Sequence, residues 1–173
     1  MDWNRRGFTF VELMMVVAII GVLAGVSAFN AFAVLPRYQL HAAARDFTSN
    51  LRLARRNAIK AAGNVQVVFD QFNNSYNVDG RQVPFRGSLE KYYGGGVSFG
   101  FGCATRSAAT TSAQLPLSPI TFRGNPRRVA FNQCGLSNAG SVYFTNRHGD
   151  CCAVVVSTSG RIRMRSWTGK KWK

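Results

Sequence analysis

Four groups of residues in this chain have the types and spacing to do chemistry. The first is Gly7-Phe8-Thr9-Phe10-Val11-Glu12, which follows Arg5-Arg6 and opens into an apolar run reaching about Leu35. A charged side chain deep in such a run costs on the order of 2.5–3.5 kcal/mol on insertion scales, so Glu12 is a candidate for charge compensation. The second is Gly160-Arg161-Ile162-Arg163-Met164-Arg165. On a strand its three arginines face one way, ~6.8 Å apart, close to two axial rises of one nucleic-acid strand, and guanidinium forks suit phosphate oxygens. Trp167, Lys170, Lys171, Trp172 and Lys173 follow, so residues 160–173 hold six basic groups and no acid. The indoles could stack on unpaired bases. The plain alternative is a final strand with a solvated outer face and Trp167 packed on the sheet.

The third group is Cys103, Cys134, Cys151 and Cys152, the disulfide candidates, which allow three pairings. A vicinal Cys151–Cys152 bond on a strand would be strained. The favoured link joins Cys134 to one of the two and closes the Asn132–Asp150 segment, worth roughly 3 kcal/mol by loop entropy. The fourth is His148 beside Asp150 and the cysteine pair. Adjacent strand residues point to opposite faces, so this set is not expected to hold a metal. Gly94-Gly95-Gly96 and Gly100-Phe101-Gly102 lack the strand-to-helix setting of a dinucleotide loop. No serine, cysteine or carboxylate has a catalytic setting. The residues point to no enzyme and no cofactor.

Behind these groups stand few elements. From Phe8 to Leu35 a helix would reach ~40 Å, enough to cross a bilayer with tilt. A membrane anchor explains the length and the basic flank but not Glu12. A secretory signal explains the flank and the core, with Val26-Ser27-Ala28 as its small-residue cleavage site. After Pro36, which should kink the helix, Leu40, Ala44, Phe47, Leu51, Ala54 and Ala58 recur on one helical face. Arg45, Arg52 and Arg56 lie opposite. Gly63-Asn64 supplies a stop after about Ala62. Then come β-rich runs at 65–69, 75–79, 120–123, 128–131, 141–145, 153–158 and 161–165, bounded by Gly, Pro and Asn. Residues 92–118, rich in small residues, read as a long surface loop. The fold class is α+β: a long N-terminal helix, apolar then amphipathic, packed on a C-terminal antiparallel sheet. With 22 Lys+Arg against 7 Asp+Glu in 173 residues, the formal charge is +15. Such an imbalance points to an anionic partner, whether nucleic acid, membrane surface or acidic polymer.

Residue by residue, Gly7 through Glu12 resembles the signal of type IV pilins, in which cutting falls before the apolar run and the helix is kept. Two further stretches are similar to the GspH/FimT branch of that superfamily, the type II secretion pseudopilins and minor type IV pilins. They are Ala43-Ala44-Arg45-Asp46-Phe47 through Lys60, and Val154-Val155-Val156-Ser157-Thr158-Ser159-Gly160-Arg161-Ile162-Arg163. The chain departs from the usual pilin pattern in carrying Phe29 where a helix proline is common. The resemblance implies a leader at 1–7, an apolar membrane and filament-core helix at 8–36, its amphipathic continuation at 37–62, and a β-rich domain at 63–173. It implies a prepilin peptidase cutting after Gly7 and methylating Phe8, and a Glu12 that pairs with the Phe8 amine of a neighbouring subunit. The implied partners are other pilins or pseudopilins and the bacterial inner membrane before assembly, with the globular domain periplasmic. The Gly-Arg-x-Arg tail is similar to that of DNA-binding FimT-type minor pilins. That likeness implies DNA contacts from Arg161, Arg163, Arg165, Lys170, Lys171 and Lys173, with stacking by Trp167 and Trp172.

Overall fold

A computed structural model describes residues 8–79, 85–88, 96–109 and 114–173, the side chains of 26–33, 79 and 85–88 excepted. The leader residues 1–7, with Gly7, and the start of the expected loop, with Gly94 and Gly95, lie outside the described residues. Helix α1 runs Phe10–Lys60 with Pro36 inside it. The chain separates into two compact units, Met1–Leu35 and Pro36–Lys173.

In the first unit the helix starts on a cap. Thr9 Oγ1 accepts the Glu12 N–H at 3.3 Å, and the Thr9 carbonyl accepts the Leu13 N–H at 3.1 Å. Thr9 therefore occupies the N-cap and Glu12 the third helical position, the Thr-x-x-Glu spacing of a capping box. Phe10, Val11, Leu13, Met14 and the aliphatic residues after them stand exposed. Side chains of this run are described as far as Gly25. Among the described residues no helix is long and apolar enough to cross a membrane.

In the second unit the apolar stripe falls where the 3.6-residue period puts it. Leu40, Ala44, Phe47, Leu51, Ala54 and Ala58 are buried, as is Ala43, and Arg45, Arg52 and Arg56 are exposed. The alanines let the sheets approach the helix closely, and Phe47 fills the middle. Its ring lies 5.9 Å from Phe69, 5.0 Å from Tyr76 and 5.3 Å from Phe144. The helix closes at Ala58–Gly63. The Gly63 N–H reaches the Ala58 carbonyl at 3.1 Å and the Ala62 N–H the Ile59 carbonyl at 3.3 Å. This is the paired C-terminal bonding that needs one left-handed residue. That residue is Ala62, at φ 45°, not the expected Gly63.

The strands are β1 Val65–Asp70, β2 Ser75–Asp79, β3 Phe85–Ser88, β4 Ser98–Phe99, β5 Arg128–Phe131, β6 Gly140–Thr145, β7 Cys151–Val156 and β8 Ile162–Ser166. They form two antiparallel four-stranded sheets, ordered β3-β2-β1-β5 and β4-β6-β7-β8, where the sequence suggested one. Phe47 joins them, touching Phe69 and Tyr76 of the first and Phe144 of the second. The expected strand at 120–123 reduces to one bridge, Ile120 to Val142. There the Ser141 N–H is taken by the Thr121 hydroxyl at 2.7 Å instead of a carbonyl, and Gly124 then turns the chain at φ 118°.

The expected surface loop is also corrected. Within it, Ala104 and Ala108 are buried against the outer face of the second sheet with Tyr143, Cys151, Ala153 and Trp167. Residues 101–109 of it form a lid over a second, smaller core.

Candidate functional site

The basic end of the chain is built on β8. Ile162 and Met164 pack toward the helix-side core while Arg163 stays exposed, as strand alternation requires. Beyond β8 the chain folds back as a tight hairpin. Ser166 and Lys173 exchange backbone hydrogen bonds at 2.9 and 3.0 Å, and Thr168 donates to the Lys171 carbonyl at 3.1 Å. Gly169, at φ 86°, takes the first central position of the two-residue turn.

This hairpin clasps the lid. Trp172 Nε1 donates to the Arg106 carbonyl at 2.8 Å, and an Arg165 guanidinium nitrogen to the Ala108 carbonyl at 2.9 Å. The Tyr143 hydroxyl receives the Ala108 N–H at 2.9 Å, and the Tyr143 ring lies 4.9 and 5.8 Å from those of Phe101 and Trp172. Trp167, 6% exposed, packs 5.2 Å from Trp172. Three members of the expected DNA set are therefore corrected. Trp167 is a core residue, Trp172 is half-buried and bonded into the lid, and Arg165 is committed to a carbonyl. Their physical reason is shared: Arg165, Trp167 and Trp172, which pairs with Trp167 across the hairpin, lie on the outer sheet face where the lid covers it. Arg161, Arg163, Lys170, Lys171 and Lys173 remain exposed.

At the other end of β8 two turns meet the helix. Arg55 Nε donates to the Gly135 carbonyl at 2.9 Å, and its terminal nitrogen lies 3.5 Å from the Ser159 carbonyl. Gly160, buried at φ 71°, abuts the Gly135 carbonyl so closely that a Cβ would collide with it. The glycine before Arg161 thus has a packing reason, and it fixes where Arg161 stands. Between helix and turn lies an open groove of roughly 670 Å³, lined by Arg52, Arg55, Arg56, Ile59, Ser159, Gly160, Arg161 and Ile162, without an acidic residue. Sequence reasoning placed Arg52 and Arg56 on the solvated face and did not link them to Arg161. Only the close packing of Gly160 brings them together.

Four further arginines of the β-rich domain lie elsewhere. Arg127 bonds the Ile120 carbonyl and Arg128 reaches Gln66 at 3.3 Å. Arg147 belongs to the β6–β7 turn, at the end of β7 away from Gly160, and Arg123 is exposed. Among the described residues no cluster of His, Cys, Asp and Glu is arranged to hold a metal.

All four cysteines are free thiols, Cys103 and Cys134 exposed and Cys151 and Cys152 buried. The expected link from Cys134 to the pair is corrected by register. Cys134 sits beside Gly135 at the Gly160 end of β7, and the pair begins the opposite end, roughly 13–17 Å along the strand. A disulfide needs Cα atoms within about 7 Å. Burial, chiefly, pushes the Cys151 thiol up to about 12, and the Cys152 thiol also up. Cys152 Sγ lies 3.7 Å from His41 Nδ1, and burial lowers His41. Both shifts favour neutral forms, so the pair is not a thiolate–imidazolium nucleophile.

A capped, outwardly apolar N-terminal helix segment together with a helix-on-sheets domain places this protein in the pilin-like class. The chain belongs to the family of the type II transport protein GspH, whose model matches residues 43–160, and a prokaryotic N-terminal methylation motif covers residues 4–28. This is a family of structural subunits, and the chain is not an enzyme. The fold is similar to that of the minor pseudopilin EpsH from the Type 2 Secretion System of Vibrio cholerae. The TM-score is 0.50 at 11% identity, over 74% of this chain and 97% of that one. The type IV minor pilin FimU of Pseudomonas aeruginosa gives a TM-score of 0.45 at 13% identity, over 79% of this chain and 94% of that one. No curated protein matches the chain.

Proposed function

We propose that the chain is the precursor of a minor pseudopilin or minor pilin, cut between Gly7 and Phe8 by a prepilin peptidase that methylates the Phe8 amine. Residues 8–36 hold it in the bacterial inner membrane and later line a filament core. Residues 37–62 continue the helix, and 63–173 form a periplasmic domain. The observation that carries this reading is the methylation motif over residues 4–28, with Thr9 and Glu12 at a helix start that opens an exposed apolar run. Glu12 then pairs with the Phe8 amine of the next subunit as both leave water, and removing one partner of such a pair costs roughly 3–5 kcal/mol.

N-terminal sequencing of the mature protein tests the cleavage: a product starting at Phe8 supports it, and one starting at Phe29 refutes it. The Thr-x-x-Glu spacing offers the Glu12 carboxylate a second role, in a capping box, and one substitution separates the two. Glu12→Gln keeps the box, which accepts glutamine, but loses the charge. Failure of E12Q subunits to enter sheared filaments supports the ion pair. Normal incorporation reduces Glu12 to a helix cap.

A second reading has its own observation. Arg161, Arg163, Lys170, Lys171 and Lys173 are exposed without an acid in the same stretch. On this reading the basic face holds nucleic-acid phosphates and takes part in DNA uptake. On the alternative, the subunit is purely structural near the tip of a secretion filament. Salt-dependent DNA titration separates them, because phosphate contacts make log K fall linearly with log salt concentration.

A further inference from the structure

We infer that the phosphate-binding site is the groove between α1 and the Gly160 turn, so that Arg52 and Arg56 of the helix bind the nucleic-acid backbone together with Arg161. This rests on the DNA reading above and changes where the ligand lies: across the helix rather than along the tail alone.

The geometry supports it at three points. Arg52 and Arg56 are one helical turn apart on the exposed face, with Cβ atoms about 6 Å from each other, and both line the groove. Arg161 faces them from the opposite wall, so cations stand on both sides. Arg55, between them, is spent on the Gly135 and Ser159 carbonyls and acts as the strut that holds the walls apart. Its guanidinium still adds positive potential. The groove is open and roughly 670 Å³, more than a single phosphate fills. Such a shape fits the ridge of one sugar–phosphate strand.

Charge and lining select this ligand over an acidic protein segment. Protein docking sites are anchored by aromatic or aliphatic side chains in pockets. Here the apolar lining is Ile59 and Ile162, and the remaining side chains are arginines and one serine. Beyond the groove Arg163 extends the basic face along β8. Both tail indoles are packed into the lid core and offer no stacking platform beside the groove. Contacts to phosphate alone carry no sequence information and serve duplex and single strand alike.

The test uses the full chain in zwitterionic detergent, titrated with fluorescent duplex and single-stranded DNA of equal length at several salt concentrations. Arg52→Ala/Arg56→Ala removes two phosphate contacts. It should flatten the salt slope by about 1.8 units for duplex and about 1.4 for single strands, and weaken binding tenfold or more near 50 mM salt. Arg45→Ala, an exposed arginine on the same helix outside the groove, should leave both unchanged. These side chains are exposed, and an unchanged thermal melt verifies the fold of each variant. If Arg161→Ala/Arg163→Ala flattens the slope and Arg52→Ala/Arg56→Ala does not, the site is the tail and the groove is refuted while the DNA reading survives. If the wild-type chain does not bind DNA near 50 mM salt, both fall. Equal displacement of DNA by polyglutamate would assign the groove to an acidic protein segment and overturn the proposal.

Discussion

The two faces of the second sheet are built on opposite plans. Toward the helix, Val142, Phe144, Cys152, Val154 and Val156 meet Leu40, Phe47 and Leu51 in a core where shape and apolar area decide everything. On the outer face, Tyr143, Ala153 and Trp167 meet a lid whose fit depends on directed hydrogen bonds, one accepted by Tyr143 and the others donated by Arg165 and Trp172. The contrast teaches that an aromatic, basic sequence can be construction material. Indoles and guanidiniums near the end of this chain close a core whose lid is too small and polar to close it by area.

Substitutions on each face sharpen this contrast, beginning with the inner one. Phe47 touches aromatic rings of both sheets and is fully buried, so Phe47→Ala should cost about 3–5 kcal/mol. Denaturant unfolding should show both sheets melting together, and separate transitions would break the single-core description. On the outer face Tyr143→Phe keeps the ring and removes the acceptor of a buried N–H. The expected loss is about 1–3 kcal/mol, with faster amide exchange at Ala108. An unchanged exchange rate would mean that the lid is held by area after all.

Trp167 gives a subtler reading. Its Nε1 is buried without a hydrogen-bond partner, so Trp167→Phe removes an unsatisfied donor as well as volume. Stability should change by less than about 1 kcal/mol, whereas Trp167→Ala should lose about 3–5. A loss for W167F as large as for W167A would place the value of the indole in its polar atom.

The smallest effect belongs to the inner rim, at His41. Burial first, then Arg37 and Arg45, lower its pKa below the ordinary 6.5, with Asp150 opposing. The folded chain therefore binds fewer protons here than the unfolded one. This contribution is complete above about pH 6.5 and is lost as the pH falls from there through the lowered folded value. His41→Gln should narrow the difference in Tm between about pH 8 and pH 5, and an unaltered difference would remove His41 from the acid response.

Legibility in the sequence followed the same division. The stripe Leu40 to Ala58 and most strand positions were readable because burial against one large apolar surface leaves a 3.6- or 2-residue period. The lid left none: its buried residues are alanines, indistinguishable from a flexible loop, and its bonds run to main-chain carbonyls that any residue carries. The tail alternated correctly, and Ile162 and Met164 went inward as expected. What alternation could not say is that the opposite face was covered too, which turned Trp167 from a stacking candidate into core. The Thr9–Glu12 cap was not read from the sequence, where the acid's apolar surroundings pointed to charge compensation instead. The arginine groove was not legible, because it joins α1 to a turn more than a hundred residues on through contacts with no pattern of their own.

The meeting of Gly135 and Gly160 also shapes how this chain tolerates change. Their contact is backbone against backbone, so it draws no specificity from neighbouring side chains and leaves exposed Cys134 and Leu136 free to vary. At Gly160 itself every other amino acid adds a Cβ into the Gly135 carbonyl, and at Gly135 a Cβ would press on Arg55 and Ile59 within 3 Å. A saturation library should therefore show two sharp, single-residue troughs in an otherwise permissive surface. The substitutions excluded there would displace Arg161 without touching its charge, so a loss of ligand at Gly160 would be a loss of placement alone.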